Sequence, residues 1–239
     1  MEIMGQVDIF STEKKQSMNI LVACEESQEV CKAFRSKGHR AFSCDLQGCS
    51  GGHPEWHIQG DCLTLLNGDC TFKTADTHTH TQVGQWDMII AHPPCTYLSN
   101  AGAARLYKVI DGKTYIERSR FEKGLDAKDF FMLFLNAKCE KIAIENPTPS
   151  AVYRLPECTQ TIQPYEFGHP YSKRTCLWLK GLPPLIPTDI VTPVCSWVSG
   201  GSKRKDGTPR ANKGTVIRDS RRRSKTFSGI AIAMAEQWG

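Results

Sequence analysis

Apolar positions along this chain alternate between short continuous runs and stretches at helical spacing. Asn19 to Cys24 is an apolar run of strand length. Ser27 to Lys37 follows, with Val30, Ala33 and Phe34 at helical spacing and Gly38 as its stop. Ala41 to Asp45 reads as a second strand ending on a carboxylate, and this strand–helix–strand order opens a doubly wound α/β fold. His57 to Asp61 reads as a third strand, again ending on an acid, and residues 62–85 read as a helix start and a long polar loop. Trp86 to Ala91 is a fourth strand that runs into His92, Pro93, Pro94 and Cys95, where the proline pair forces a turn. Residues 121–138 form an amphipathic helix with Phe130, Phe131, Leu133, Phe134 and Leu135 toward the core. Lys141 to Pro147 is a fifth strand. Thr175 to Leu179 is a later one, paired with a segment near 162–167, and residues 226–238 close as a helix carrying Ile230, Ile232, Ala233 and Met234.

Length and composition narrow the class. The 239 residues suffice for one doubly wound domain and a small appendage. Residues 1–17 read as an N-terminal extension, 18–180 as the main domain, 181–225 as a small basic segment and 226–239 as a returning helix. No apolar run approaches the ~20 residues that span a bilayer, and the start lacks a secretory pattern, so the expectation is a soluble cytoplasmic protein with no membrane partner. The eleven cysteines are odd in number and contain no Cys-x-x-Cys pair, which argues for reduced thiols without structural metal. Cys24, Cys44 and Cys176 sit in strand-like settings where thiols pack as small apolar groups. His78 and His80 fall in the Thr-rich stretch and read as plain loop.

Charge is concentrated. Of the net +5, residues 202–225 carry +8, from ten Lys or Arg against Asp206 and Asp219, leaving the remainder at −3. A basic cluster on a slightly acidic body points to a polyanion partner such as DNA.

Ligands of open alternating sheets bind beyond the carboxyl ends of the strands. Five such ends carry polar or reactive groups here: Glu25, Glu26 and Ser27; Asp45; Asp61; Cys95; and Glu145 with Asn146 and Pro147. Cys95 is the sharpest candidate, because two prolines hold it rigidly at the mouth of the crevice, where loop amides or a helix start favour a thiolate nucleophile.

Pro94 to Gly102 (Pro-Cys-Thr-Tyr-Leu-Ser-Asn-Ala-Gly) resembles the catalytic loop of the DNA (cytosine-5) methyltransferases, where Pro-Cys-Gln-x-Phe-Ser-x-Ala-Gly is typical. Glu145, Asn146 and Pro147 resemble that family's Glu-Asn-Val motif. Phe167 to Pro170 followed by Ser172 to Trp178 resembles its Gly-x-Pro-Gln-x-Arg-x-Arg segment, and Phe227 to Ala231 its C-terminal motif. The short form, with Cys24, Glu25, Glu26 and Ser27 after the first strand, is similar to phage-encoded members, whose place is the bacterial host cytoplasm.

The resemblance implies a Rossmann-like S-adenosylmethionine-dependent methyltransferase fold, a mostly parallel seven-stranded sheet with helices on both faces. It casts Cys95 as the nucleophile adding to cytosine carbon 6 and Glu145 as the group, protonated or sharing a proton, that holds ring nitrogen 3. Asn146 positions the loop, and Lys173 or Arg174 contacts the base or its phosphate. For S-adenosylmethionine it implies Ala23, Cys24, Glu25 and Ser27 around the methionine part, Asp45 and Leu46 at the ribose, Asp61 at the adenine amine, and Pro93 and Ser228 closing the site. The target base would be flipped out of DNA. Departures from the pattern are the absence of glycine from residues 22–28, Thr96 for Gln, Leu98 for Phe, a shifted arginine register in 171–175, and little length for target recognition between 180 and 225.

Competing readings are a zinc nucleobase deaminase, which His53, Glu55, Pro94 and Cys95 half satisfy but Leu98 spoils by replacing a ligand, and an exocyclic-amine methyltransferase, which wants an aromatic residue where Cys95 stands. A non-catalytic or divergent DNA-binding homologue, or modification of cytosine at the nucleotide level, are the remaining alternatives. Neither the recognition sequence nor the oligomeric state is legible.

Overall fold

The computed structural model describes residues 16–103, 105–197 and 223–239. Its frame is one seven-stranded sheet built from β1 (Asn19–Ala23), β2 (Arg40–Asp45), β3 (His57–Gln59), β6 (Met88–Ala91), β9 (Ile142–Pro147), β10 (Gln160–Ile162) and β12 (Thr175–Lys180), in the spatial order β10-β12-β9-β6-β1-β2-β3. The five strands from β9 to β3 run parallel, whereas β12 is antiparallel to β9 and β10 is antiparallel to β12. The chain winds outward from β1 through β2 to β3, then crosses to the other side of β1 for β6 and β9. The direction of winding therefore reverses between β1 and β6, the point where such sheets open a ligand crevice.

Alternation along the strands sorts the core into two layers. Leu21, Ala23, Ile89, Ala91, Ile142 and Ile144 face a cluster that includes Phe131 and Phe134 of α3 (Arg118–Leu135). Ile20, Val22, Met88, Ile90 and Ala143 face the opposite cluster, with Val30 and Phe34 of α1 (Glu29–Ser36) and Ile230, Ala233 and Met234 of the last helix, α4 (Ser228–Trp238). Helices thus cover both faces, as parallel strands without a polar side require.

Several expectations change. Residues 62–85 are not a long loop: a short 3-10 turn at Cys62–Leu65 leads into a hairpin of β4 (Cys70–Lys73) and β5 (Thr79–Gln82). Its threonines are good strand formers, and the one large apolar residue, Phe72, is buried edge-on against Phe42 at 5.0 Å. His80 therefore lies on a strand beside Phe42 rather than in a loop. A second hairpin, β7 (Tyr107–Ile110) with β8 (Lys113–Ile116), follows the short helix α2 (Asn100–Ala103) and stands in solvent along its whole length. Of the five apolar side chains expected to face the core from α3, Phe131 and Phe134 are fully buried and Leu133 faces solvent, because three consecutive apolar residues cannot share one helical face. The partner of β12 is 160–162, since Pro164 starts a 3-10 turn that ends the ladder. In α4, Ile232 is half exposed while its neighbours are buried.

Of the segment 181–225, only residues up to 197 and from 223 are described. Within it, Leu185 is buried in the layer of α1 and α4, and β13 (Cys195–Ser196) pairs with β11 (Tyr171–Ser172). Most of the N-terminal extension and of the basic cluster lies outside the described residues. Among those described, no helix is long and apolar enough to cross a membrane.

Candidate active site

Because β1, β2, β3, β6 and β9 are parallel, all five polar strand ends anticipated from sequence fall along one edge of the sheet. On the β6–β9 side, the Cys95 turn is laced to the segment after β9. Asn146 Nδ2 donates to the Pro93 carbonyl at 2.8 Å, Asn100 N to Thr148 O at 3.0 Å, and Ser150 N to Leu98 O at 2.7 Å. The Cys95 carbonyl accepts from Leu98 N and Ser99 N, and the fully buried Leu98 side chain pins the turn to the core. Leu98 thus anchors the turn by packing. Arg120 of α3 donates to Thr96 O at 2.9 Å and lies over the Tyr97 ring.

The thiol of Cys95 is half-buried. Burial pushes its pKa up, and the opposing pull of the Lys173 and Arg223 cations does not overcome it, with the Glu145 carboxylate adding to the rise. The expectation of a lowered value is corrected here: the free protein holds Cys95 as a thiol. Cation placement lessens the cost of ionisation without removing it.

Glu145 sits near the end of β9, buried, opposite Leu177 of β12. Its Oε2 accepts from Thr226 Oγ1 at 2.9 Å and meets His92 Nδ1 at 3.2 Å. Burial alone would raise its pKa, but the His92 bond and charge, then Lys173 and Thr226, bring it down to about 2. In the free protein Glu145 is therefore a carboxylate, and the proton it is expected to share with ring nitrogen 3 is not yet on it. His92 itself is held above its ordinary value: burial opposes its charge, yet Glu145 and then Glu25 outweigh burial and the repulsion of Lys173. Among the described residues its Nε2 is buried without a hydrogen-bond partner, and so is Asn146 Oδ1.

Of the two basic candidates, Lys173 is half-buried beside this cluster, with Nζ 5.7 Å from the Phe227 ring centre, whereas Arg174 is exposed and favours the thiolate of Cys176.

On the β1–β3 side, Cys24 and Gln28 both take left-handed backbone, each at φ 59°, so the loop makes without glycine the turns that glycine usually makes. Ala23 and Ser27 are buried, and Cys24 Sγ lies 3.8 Å from Cys62 Sγ. Glu25 is turned inward: its carboxylate accepts from Val30 N at 2.6 Å and Cys31 N at 3.2 Å, filling the N-terminus of α1. Burial raises its pKa to about 7 even though His92 and those two amides pull it down.

Asp45 and Asp61 each spend Oδ1 on a nearby amide, those of Gln47 and Leu63. Among the described residues, Oδ2 of each makes no hydrogen bond, and Leu46 beside them is 76% exposed. Two open carboxylates on adjacent strand ends with an uncovered apolar residue fit the hydroxyls, amine and flat ring of a nucleoside. Pro93 is buried behind the Cys95 turn, and Ser228 is exposed at the start of α4, with Oγ 3.4 Å from His169 Nε2.

Sequence reasoning missed His92, Thr226 and Arg223. Only His92 carried a signal, an ionisable residue at a strand end directly before the proline pair. His53 of the deaminase reading pairs with Glu55 at 2.9 Å and stacks on Trp56. Among the described residues no three His, Cys, Asp or Glu side chains gather as a metal-ligand set, and all eleven cysteines are free thiols. Compared with known protein families and with curated proteins, the chain matches none, and the motif resemblance to cytosine-5 methyltransferases rests on its residues alone.

Proposed function

We propose that this protein methylates carbon 5 of cytosine in DNA through a Cys95 adduct, with S-adenosylmethionine as the methyl donor. One observation carries the reading: the Cys95 turn and the Glu145–Asn146 strand end lie on adjacent strands and are tied by the Asn146–Pro93 bond, with Lys173 beside both.

A cytosine ring needs electron density pushed into carbon 5 before it can be alkylated. Cys95 supplies it by adding Sγ to carbon 6, which breaks the carbon 5–carbon 6 double bond and leaves the thiol proton to solvent or a nearby base. Lys173 and Arg223 stabilise the thiolate as it forms. Glu145 binds the ring nitrogen and exocyclic amine and takes part of the developing charge through a shared proton. Asn146 holds the turn by its bond to Pro93. S-adenosylmethionine, when bound, supplies the methyl group; Asp45 and Asp61 would hold its ribose and adenine, with Leu46 against the ring and Cys24 and Ser27 lining the methionine end. Loss of the carbon 5 proton then expels Cys95 and restores the double bond. In duplex DNA the ring edge is hidden, so the base must swing out.

Incubation with methyl-labelled S-adenosylmethionine and DNA, followed by identification of the modified base, tests the reading, with 5-methylcytosine as the expected product. Cys95→Ser should reduce transfer to background with folding unchanged, and 5-fluorocytosine DNA should trap Cys95 covalently, as mass spectrometry would detect. Wild-type turnover by Cys95→Ser would sink the nucleophile assignment. The position of Glu25, already satisfied by α1 amides, favours a second reading, a DNA-binding homologue without cofactor. Calorimetry showing no S-adenosylmethionine binding by the wild type would select it.

A further inference from the structure

The Cys95 mechanism leaves unused the ionisable side chain that touches Glu145, His92. His92 leaves the end of β6 with its backbone N–H bonded to Ala23 O of β1 at 3.0 Å, and Pro93 behind it fixes the chain. Its ring is thereby directed at Glu145, Nδ1 to Oε2 at 3.2 Å, and its other nitrogen is buried with no partner among the described residues. Three charged groups bear on it from three elements: Glu145 on β9, Glu25 on the loop after β1, and Lys173 ahead of β12. Thr226, ahead of α4, holds the same Oε2, so the carboxyl is gripped from two sides.

A structural ion pair would gain from satisfying both nitrogens of the imidazole, because a buried polar atom without a partner is costly. An imidazole bonded on one side only, inside a cluster of two carboxylates and an ammonium, is suited to changing its charge. Glu145 needs such a partner. A carboxylate repels the lone pair of cytosine nitrogen 3, whereas a carboxyl carrying a proton binds it.

We propose that His92 is a proton store for Glu145, a positioning residue that keeps the carboxyl ionised in the free protein and returns a proton to it when cytosine arrives. This rests on the methyltransferase reading above. The step balances: the His92 Nδ1–H bond breaks, an O–H bond forms on Glu145 and is shared with the nitrogen 3 lone pair, and the imidazole ends neutral. Release of the methylated base reverses it, and no other reactant is consumed. Because His92 must begin protonated, transfer should fall as pH rises through its titration.

Two measurements test the inference. NMR titration of labelled histidine in the wild type and in Glu145→Gln reads the pair without any turnover. His92 should titrate above its ordinary value in the wild type and fall in the variant, where burial acts with less opposition; an identical titration in both would overturn the coupling. The pH profile of methyl transfer is then compared between the wild type and His92→Asn, which keeps a donor toward Glu145 but no exchangeable charge. The variant should lose on the order of 100-fold in kcat, the scale of acid–base assistance, and lose the alkaline limb, with KM for S-adenosylmethionine unchanged. Wild-type kcat and an unmoved limb in His92→Asn would overturn the role. If the wild type transfers no methyl group at all, the methyltransferase reading fails and the store has no substrate to serve, while the titration still decides whether the pair exists.

Discussion

At the scale of single residues, the crevice is dominated by buried carboxylates with opposite fates. Glu145 faces a cation and stays ionised, whereas Glu25 faces mainly protein interior and is raised to about 7. This difference has a measurable consequence for stability. A carboxyl whose folded pKa exceeds its unfolded value binds its proton more tightly when folded, so its contribution is full below about pH 4.5 and is lost as pH climbs through about 7. Two and a half pH units correspond to roughly 3 kcal/mol. Glu25→Gln keeps an acceptor for an α1 amide but cannot ionise. It should flatten the decline in unfolding free energy between pH 5 and 8 and be more stable than the wild type at the alkaline end. Urea titrations at several pH values check this, and parallel pH dependences in the two proteins would show that Glu25 does not carry the slope. None of it was visible in the sequence, where Glu25 was one of three polar residues after a strand. Which way a carboxylate turns depends on the helix start it meets.

At the scale of elements, the strands at the sheet centre were legible because apolar runs between turn residues leave few alternatives. The two hairpins were not. The β4–β5 pair is polar on its open side and has a single buried aromatic anchor, and the β7–β8 pair buries nothing, so neither produces a clear apolar alternation. Packing of α3 was also hidden, because it depends on Gly124. A Cβ there would lie 2.1 Å from the ring of Tyr153, so the helix and the 3-10 turn after β9 touch only because glycine has no side chain. Two effects of Gly124→Ala compete. Alanine improves helix propensity by about 1 kcal/mol, while overpacking costs about 1–3 kcal/mol. Tyr153 is 2% exposed and stacked on Phe121, so it has little room to yield, and the loss should win. A lower denaturation midpoint is expected, together with weaker methyl transfer, because Tyr153 N bonds Ser150, whose own N–H bonds Leu98 in the Cys95 turn. A midpoint above that of the wild type would show that Tyr153 moves aside freely.

At the scale of the whole molecule, the proposed function divides charge between a crevice holding buried carboxylates and a basic segment whose greater part lies outside the described residues. Its described end separates two roles that the sequence merged. Arg223 favours the Cys95 thiolate, and Lys225 Nζ bonds Ser50 Oγ at 3.0 Å, so the last residues of the cluster already have partners on the described body. Lys203, Arg204 and Lys205, which lie outside the described residues, test whether the segment grips phosphate. A protein that neutralises phosphates releases counterions, and log affinity then falls linearly with log salt at about 0.9 per neutralised phosphate on duplex DNA. Replacing the three by alanine should weaken DNA binding at low salt and flatten that slope by roughly one unit for each phosphate no longer neutralised. S-adenosylmethionine affinity should not change, since the carboxylates proposed to hold it end β2 and follow β3. Arg223→Ala should act differently, leaving the salt slope nearly intact and slowing alkylation of Cys95 at neutral pH, because a cation that favours the thiolate is gone. Affinity measured across a salt series for the wild type and both variants separates these outcomes. Equal slopes for the wild type and the triple variant would mean that DNA is held elsewhere, and an Arg223→Ala slope as flat as that of a phosphate-binding variant would return that residue to the DNA backbone.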